Sequence, residues 1–334
     1  MTLCFRSFLA YVSLNSVIWF EHTITSAEHR KPIRKILSFH LPEISQIRLR
    51  RLIADSQVAV NGNPIRSTYR GIVGDSVSLS VLEEVITAFL PEPLPLTIVF
   101  EDAELLVVDK PAGMLVHPSN SQKSGTLLNA VCHHLKETGQ SGIRPGLIHR
   151  LDRQTSGLIV LAKNERSHRV LAKHFTNHLV EKTYLGIVIG RVPEETGIID
   201  APIGSNKETF PHWQIMESGR PSRTQYRVLS RYHSTKSDLR FSLLELTPET
   251  GRTNQLRIHL ASIGFPLVND YVYGKEENEA VFGSLSEIST NSRHFLHAAG
   301  IKFRHPVSGD WVALESPMPS DMNEFIESVT LEEG

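Results

Sequence analysis

Apolar residues in the first quarter of the chain are spaced as in a small module of helices and strands. Helix-like spacing at 34–37 and again at 47–53 is followed by a short strand that begins at Val58. An Asn61-Gly62 pair comes next, and this dipeptide is typical of a two-residue hairpin turn. The pattern therefore predicts a compact α+β module.

The rest of the chain has a longer series of apolar runs, some spaced as in strands and others as in helices. Runs with a period of two predict strands, and runs with apolar residues every three or four positions predict helices. The predicted strands are 97–100, 105–109, 158–162, 182–189, 223–230 and 239–246, and the predicted helices are 124–136, 165–178 and 253–262. Strands outnumber helices without strict alternation, which predicts an α+β fold with a mixed, largely antiparallel sheet.

These patterns divide the chain into five segments. We expect a poorly ordered apolar extension at 1–28, an α+β module at 29–84, a Pro-rich linker at 85–95, a large domain at 96–320 and an acidic tail at 321–334. Alternating prolines predict that the linker is extended. The extension matches neither a membrane-spanning helix nor a signal peptide, because Arg6 and Asn15 interrupt its apolar run.

Charge is unevenly distributed along a chain whose total is close to neutral. The 334 residues carry a formal net charge of −1, and 40% of them are hydrophobic, which argues against a disordered chain. Residues 28–70 contain nine Lys or Arg against three Asp or Glu, residues 142–261 contain 18 against 11, and residues 275–334 contain four against 11. Two basic stretches therefore suit a nucleic-acid partner, although a solvated basic face would have the same composition.

Cysteine and histidine give no sign of a disulfide framework or a metal centre. The two cysteines, Cys4 and Cys132, suit a reducing compartment, so we expect a cytoplasmic protein. His174 and His178 have the helical spacing of a metal-binding pair but lack the intervening Glu of a metalloprotease helix. We expect no bound metal, no membrane span and a monomeric chain.

The segment 149–157, His-Arg-Leu-Asp-Arg-Gln-Thr-Ser-Gly, is denser in polar residues than a core needs. Asp152 lies between Arg150 and Arg153, and neighbouring guanidinium groups keep a carboxylate ionised even where it is partly buried. An ionised Asp can act as a nucleophile or as a base. A structural ion pair is the alternative interpretation of the same residues.

Two further segments carry candidate chemistry. In 246–259, either Thr250 or Thr253 is placed to cap a helix. The polar residues at the start of that helix, which suit an anion or a carboxylate, are Arg252, Gln255 and Arg257. An ordinary capped surface helix is the alternative. Tyr184, near the start of a predicted strand, is either a core residue or a site residue.

Together these segments resemble the RluA family of pseudouridine synthases, over about residues 96–320. The segment 149–157 resembles the family signature, with Asp152 at the catalytic position. Lys182-Thr-Tyr184 resembles the motif with the active-site Tyr, and 251–257, Gly-Arg-Thr-Asn-Gln-Leu-Arg, resembles the Arg-bearing motif. Further matching stretches are 110–117, 264–274 and 296–299. The family usually has His where this chain has Asn254, a change that we expect to tune substrate contacts.

Residues 33–81 resemble the small RNA-binding module named after ribosomal protein S-four. Its helical stretch is similar to 45–53 here, Ser-Gln-Ile-Arg-Leu-Arg-Arg-Leu-Ile. The usual opening of the module, Arg-Leu-Asp-Lys-x-Leu, is replaced by Pro-Ile-Arg-Lys-Ile-Leu at 32–37, so the first turn departs from the pattern. The resemblance implies RNA binding by the basic helical surface.

The resemblance implies an enzyme that converts uridine in structured RNA to pseudouridine without a cofactor, and the sequence has no P-loop or dinucleotide-binding motif. Asp152 would start cleavage of the N-glycosidic bond, either by attacking the sugar or by removing a sugar proton. Arg257 would pair with Asp152, Tyr184 would pack on the uracil and help to remove its carbon-5 proton, and Arg150 would fill the space left by a flipped-out nucleotide. The residues expected to contact RNA are His149, Arg150, Arg153, Thr155, Arg252, Gln255, Arg48, Arg50 and Arg51.

The choice of RNA is left open between two substrates. Large-subunit ribosomal RNA is favoured over tRNA, because family members with the N-terminal module often act on it. A non-catalytic RNA-binding or ribosome-assembly factor is a rival function, but it predicts loss of the Asp, Tyr or Arg of the motifs, and all three are present. The basic module argues against a second rival, an Asp-dependent hydrolase that does not act on RNA.

Overall fold

The computed structural model describes residues 17–41, 44, 46–82, 90–119, 122–140, 143, 145–234, 238–282 and 293–332. The described residues fall into two units that divide between Leu90 and Pro91. This division lies inside the segment predicted as a linker, of which 85–89 lie outside the described residues.

The first unit is a four-stranded antiparallel sheet with two helices. Its elements are β1 (Val17–Thr23), a 3₁₀ helix (Ser26–Glu28), α1 (Ile33–His40), α2 (Gln46–Ala54), β2 (Val58–Val60), β3 (Asn63–Pro64) and β4 (Ser76–Leu82), and the strand order is β1-β4-β2-β3. The buried sides of the helices, represented by Leu37 and Leu52, share one core with Val77 and Leu79 of β4. This α+β core leaves Arg50 and Arg51 of α2 on the outside.

The turn predicted at Asn61-Gly62 is confirmed. Val60 pairs with Asn63 across it, and the two central residues have φ angles of 51° and 79°. These left-handed conformations are the ones that a type I′ hairpin turn requires. The Asn61 amide also accepts a hydrogen bond from the backbone of Ser76 at 2.9 Å, which ties the hairpin to β4.

The N-terminal extension is shorter than we expected, because Val17–Thr23 forms β1. This strand pairs antiparallel with β4, from Thr23 opposite Ser76 to Val17 opposite Leu82. The end of the apolar run therefore supplies a strand at the edge of the sheet, which its β-branched and aromatic residues favour. The other predicted extension residues, 1–16, lie outside the described part of the chain.

The second unit is built on a long, largely antiparallel sheet. The strands of this unit are β5 (Thr97–Glu101), β6 (Leu105–Lys110), β7 (Gly146–Leu147), β8 (Ser156–Ala162), β9 (Glu181–Ile189), β10 (Thr196–Asp200), β11 (Ile203–Ser205), β12 (Trp213–Ile215), β13 (Arg223–His233), β14 (Arg240–Pro248), β15 (Leu296–Arg304), β16 (Trp311–Glu315) and β17 (Thr330–Leu331). Strands β11 and β12 pair with each other in a separate two-stranded sheet, and the others belong to the long sheet. The helices of this unit are α3 (Leu127–Glu137), α4 (Glu165–Thr176), α5 (Gln255–Ser262), α6 (Lys275–Phe282) and α7 (Ser320–Glu327). The main path of the sheet is β10-β13-β14-β9-β15-β8-β6-β5, which confirms the predicted fold class.

The centre of this sheet contains a parallel pair, β8 with β15, in which Ser156 lies opposite His297. Gly157 of β8 has a φ angle of 109°, and a Cβ atom there would lie 2.3 Å from the carbonyl oxygen of Ala298. Only glycine fits such a contact. The last residue of the 149–157 signature therefore allows the loop that precedes β8 to approach β15.

The predicted helices of the second unit are present with shifted ends. The helix expected at 253–262 begins at Gln255, and neither Thr250 nor Thr253 caps it. Asn254 precedes the helix in a left-handed conformation, with a φ angle of 55°. Within the described ranges, the apolar stretches of the helices are too short for any of them to cross a membrane.

The acidic tail expected from residue 321 folds back onto the second unit as α7. Met322 is fully buried, and the ring of Phe325 meets that of Phe295 at a centroid distance of 5.3 Å. Arg293 adds a two-point ion pair to Asp321, with N···O distances of 2.6 and 2.8 Å. A prediction based on charge missed this helix, because its apolar residues are interspersed with acidic ones.

Candidate active site

A cleft of about 650 Å³ in the second unit is lined by the loop before β8, by β9 and by the loop that leads into α5. The sequence-predicted residues that line it are Asp152, Tyr184, Arg257, His149, Arg150, Thr155, Arg252 and Gln255. These segments meet because β8 and β9 both pair with β15, and because Tyr184 of β9 lies opposite Leu246 of β14. The sheet order thus brings the three predicted motifs to one place.

Asp152 lies partly buried in the cleft, with 27% of its side chain exposed. Burial raises the pKa of Asp152, whereas the positive charges of Arg257 and Arg150 oppose this rise. Nη1 of Arg257 is 3.8 Å from Oδ2 of Asp152, which is a long ion pair. The carboxylate therefore needs closer hydrogen-bond donors to be held in one orientation.

Asn254 is such a donor. Its side-chain amide faces both carboxylate oxygens of Asp152, so the hydrogen-bond network requires the amide nitrogen on that side. In this orientation Nδ2 lies 2.9 Å from Oδ2 and 3.2 Å from Oδ1, and the amide oxygen accepts from the Tyr273 hydroxyl at 2.9 Å. The sequence singled out Asn254 only as a departure from the family pattern, and this contact was not predicted.

The main partner of Arg257 is Asp270, which sequence reasoning missed. Nε and Nη2 of Arg257 bind the two oxygens of Asp270 at 2.7 and 2.8 Å. Asp270 is 1% exposed, and although burial by itself raises its pKa, the hydrogen bond from Arg257 lowers it. The pair expected between Arg257 and Asp152 is thus only a long contact, and Asp270 holds the guanidinium that faces Asp152.

A buried amide fixes the loop that contains Asp270. Nδ2 of Asn278 donates to the backbone oxygens of Leu267 at 3.1 Å and Gly274 at 2.7 Å, and its oxygen accepts from the N–H of Asn269 at 2.6 Å. The sequence feature that could have identified Asp270 was the match of 264–274 to the family, but this match did not distinguish Asp270 from its neighbours. Asn278 lies beyond that stretch.

Tyr184 is both a core residue and a residue of the cleft, the two interpretations that the sequence left open. Its ring packs against the apolar cluster that contains Leu246, Leu256 and Leu296, and it also lines the cleft. Burial and the nearby charge of Asp152 raise the pKa of Tyr184 above its ordinary value. The phenol is therefore protonated at neutral pH. Lys182, two residues earlier, also lines the cleft, and burial lowers its pKa to about 8.

Lys110 supports the loop that carries Asp152. Its Nζ donates to the backbone oxygens of Pro111 at 2.7 Å, Met114 at 3.1 Å and Arg153 at 3.1 Å, and the side chain is fully buried. Three carbonyl groups match the three N–H donors of an ammonium group. Burial lowers the pKa of Lys110 to about 7. The 110–117 motif thus ties its own backbone to the loop of the 149–157 signature.

Three residues that we expected to contact RNA are held by contacts within the protein. Thr155 is 2% exposed, and its hydroxyl pairs with Nε2 of His294 at 2.9 Å. Gln255 is 4% exposed and uses its amide on four neighbouring groups of the protein. His149 accepts the N–H of Val160 at 3.0 Å, and burial lowers its pKa to about 3. These contacts indicate that the three residues position the loops that line the cleft, and that they are not free to contact RNA.

The arginines near the cleft differ in their contacts. Arg150 is exposed, and its guanidinium makes no hydrogen bond to another described residue. Arg153 is also exposed, but it is not among the residues that line the cleft; it donates to the Gly113 carbonyl at 3.1 Å and pairs with Gln122. Arg252 donates to the Pro221 carbonyl at 3.3 Å. Arg150 is therefore the arginine with the most freedom to contact a ligand.

The predicted basic residues of the first unit lie on α2. Arg50 and Arg51 are exposed on this helix, on the side opposite to the buried Leu49 and Leu52. Arg48 belongs to the same helix, and its side chain lies outside the part that the structure describes. Two of the three predicted arginines are thus accessible to a phosphate backbone.

Comparison with known proteins agrees with the cleft and the fold. A family model described as RNA pseudouridylate synthase matches residues 104–262. A Bacillus subtilis protein named as an uncharacterised RNA pseudouridine synthase is 37% identical over 310 residues, which cover 92% of this chain and 97% of that protein. The human RNA pseudouridylate synthase domain-containing protein 1 shares the fold, with a TM-score of 0.57 at 24% identity over 72% of this chain and 90% of the human one.

Two further relatives carry a more specific name. Proteins named ribosomal large subunit pseudouridine synthase D are 36% identical over 290 residues in Nitrosomonas europaea, covering 86% of this chain and 81% of that protein, and 42% identical over 239 residues in Zymomonas mobilis, covering 70% and 72%. The chain belongs to the RluA family of RNA pseudouridine synthases. It is an enzyme that isomerises uridine in RNA to pseudouridine.

Proposed function

We propose that the enzyme modifies large-subunit ribosomal RNA and that Asp152 is its catalytic carboxylate. The observation that carries the assignment of Asp152 is its place in the cleft, where Asn254, Arg257 and Tyr184 surround one partly buried carboxylate. Groups that shift the pKa of a carboxyl in a cleft are typical of active sites. Support for the ribosomal substrate comes from the two relatives named for the large subunit.

The reaction rearranges one nucleotide and adds nothing to it. The bond between N1 of the uracil and C1′ of the ribose breaks, a bond between C5 and C1′ forms, and the proton on C5 is replaced by one on N1. Asp152 starts the cleavage, either by adding to C1′ or by removing a proton from C2′. Either role needs the ionised carboxylate, which donors such as Asn254 favour.

Tyr184 packs on the uracil in this proposal. Its protonated phenol suits a stacking and hydrogen-bonding role, since a tyrosine with a raised pKa carries almost no phenolate at neutral pH while Asp152 is charged. To help remove the C5 proton, Tyr184 first gives its hydroxyl proton to N1 of the uracil, and the phenolate formed in this way takes the proton from C5, which regenerates the phenol.

Base flipping gives the target uridine access to the cleft. A paired nucleotide must leave its helix before Asp152 can reach the ribose, and flipping costs a few kcal/mol. The exposed Arg150 lies at the cleft without a hydrogen bond to another described residue. We assign it the role of occupying the vacated position in the RNA stack.

The catalytic assignment is tested by Asp152→Asn in the purified enzyme. We expect the variant to bind RNA and to form no pseudouridine, measured by tritium release from RNA labelled at C5 of uridine. Asp200→Asn is a matched control, because Asp200 is exposed on β10 and is not among the residues that line the cleft. Retained activity in Asp152→Asn would remove Asp152 from the mechanism.

The RNA target is tested by mapping pseudouridine in ribosomal RNA and tRNA from cells with and without the gene. We expect one or more sites to disappear from large-subunit ribosomal RNA and no change in tRNA. Loss of a tRNA site alone would overturn the ribosomal assignment and favour the alternative substrate, while leaving the role of Asp152 intact.

The first unit supplies RNA affinity in this proposal, through α2. Replacing both Arg50 and Arg51 with Ala should weaken binding and lower the slope of log affinity against log salt by about 1.4 to 1.8, if each arginine neutralises one phosphate. Lys275→Ala in the second unit is the control for loss of one exposed positive charge. An unchanged slope in the double variant would mean that α2 does not touch the RNA backbone.

A further inference from the structure

The first unit brings two histidines and a glutamate together outside the cleft. His22 lies on β1, Glu28 in the 3₁₀ helix and His40 at the end of α1. Nε2 of His22 is 2.8 Å from Oε2 of Glu28, Nε2 of His40 is 2.6 Å from Oε1, and the two imidazole rings are 4.0 Å apart. We propose that these three side chains bind one divalent transition-metal ion, with Zn²⁺ as the best fit.

The donor set suits such an ion chemically. Two imidazole nitrogens and one carboxylate are ligands that zinc and related metals prefer, and their bonds are about 2.0–2.2 Å long. Tetrahedral ligand atoms around one ion then lie about 3.3–3.6 Å apart. The three groups here offer ligand atoms that all lie within 4.8 Å of one another, so small side-chain movements suffice.

The surroundings of Glu28 resemble those of a metal-binding carboxylate. Oε2 accepts hydrogen bonds from both the N–H and the hydroxyl of Thr25, each at 2.9 Å, and such supporting contacts orient the ligands of metal sites.

The cluster is also open enough for an ion to enter. The side chains of His22, Glu28 and His40 are 18%, 11% and 24% exposed. Three protein ligands leave one tetrahedral position for a water molecule, as in open zinc sites. The bound ion would tie β1 to the end of α1 and so stabilise the first unit by mass action.

The test uses the full-length chain without an affinity tag, freed of metal by a chelator and titrated with Zn²⁺ against a chromophoric competitor. We expect one ion per chain, a loss of affinity of about tenfold or more in His22→Gln and His40→Gln, and no change in His29→Gln. His29 is the control because it is exposed and follows Glu28 directly. Zn²⁺ should raise the unfolding temperature of the wild type, but not that of the two ligand variants.

Two results would overturn the proposal: no stoichiometric binding, or binding that both ligand variants retain. Either would identify the cluster as a hydrogen-bonded triad without metal. If the variants do not fold, the visible spectrum of the Co²⁺-loaded wild type decides. Intense bands of a four- or five-coordinate ion support the site, and the weak bands of a hydrated, six-coordinate ion overturn it. Pseudouridine formation is measured separately, because the metal site does not depend on the proposed role of Asp152.

Discussion

Replacing Asn254 with glycine should slow the enzyme by removing the amide that holds Asp152. Glycine is the cleanest substitution, because the φ angle of 55° would cost alanine about 1–2 kcal/mol of backbone strain. The lost contact is one N–H donor group at 2.9 and 3.2 Å from the two oxygens of a carboxylate. A hydrogen bond to a charged group contributes about 1.5–3 kcal/mol.

This free energy corresponds to a fall in kcat of about 10- to 100-fold, since each 1.36 kcal/mol is a factor of ten in rate. KM should change little, because Asn254 acts on Asp152. Burial already raises the pKa of Asp152, and loss of a donor to the ionised form raises it further. In the proposed mechanism activity requires the ionised carboxylate, so it should be lost as the pH falls through this pKa. The acidic limb of the profile of kcat against pH should therefore move upward by about one to two pH units.

Single-turnover tritium release across a pH series measures both effects. Tyr273→Phe is the companion variant: it removes the hydroxyl that donates to the Asn254 amide oxygen, so we expect a smaller change in the same direction. Unfolding temperatures of both variants control for loss of structure. If Asn254→Gly left kcat and the acidic limb unchanged, the amide would not hold Asp152 in the working enzyme.

Three further substitutions test other contacts. Gly157→Ala should lower the unfolding temperature markedly, because its Cβ would lie 2.3 Å from the Ala298 oxygen, and a wild-type melting curve would contradict this packing argument. Lys110→Met leaves three carbonyl groups without their donor and should cost about 2–4 kcal/mol of unfolding free energy in denaturant titrations; a change below 1 kcal/mol would show that water replaces the ammonium. Arg150→Ala should reduce activity more on a uridine in an RNA stem than on the same uridine in a single strand. Equal losses on the two substrates would argue against its role in base flipping.

Features that depend on neighbouring residues could be predicted from the sequence. The turn at Asn61-Gly62 follows from two residues that tolerate left-handed backbone, and the strands follow from runs with a period of two. Asp152, Tyr184 and Arg257 were found because each stands in a short stretch with a recognisable residue pattern. The mixed, largely antiparallel sheet followed from the number and order of those runs.

Features that depend on distant residues could not be predicted. Asp270 lies beside Arg257 because the loop after α5 folds back towards that helix. Thr155 contacts His294, which is 139 residues away in sequence. The acidic residues of α7 led to the prediction of a tail, whereas the burial of its apolar residue Met322 packs this segment against the second unit as a helix. The β-branched and aromatic residues of β1 favour a strand, but its partner β4, more than 50 residues later, cannot be identified from them.

The place of β15 in the sheet has a consequence for the synthesis of this protein. It lies between β8 and β9, although its His297 follows Ser156 of β8 by 141 residues. During translation, β8 and β9 leave the ribosome long before the strand that joins them. Until then their facing edges lack a partner and are open to mispairing with other chains. The loop of Asp152 leads into β8 and Tyr184 lies on β9, and both strands pair with β15, so the cleft between them cannot assemble on a nascent chain before β15 has been synthesised.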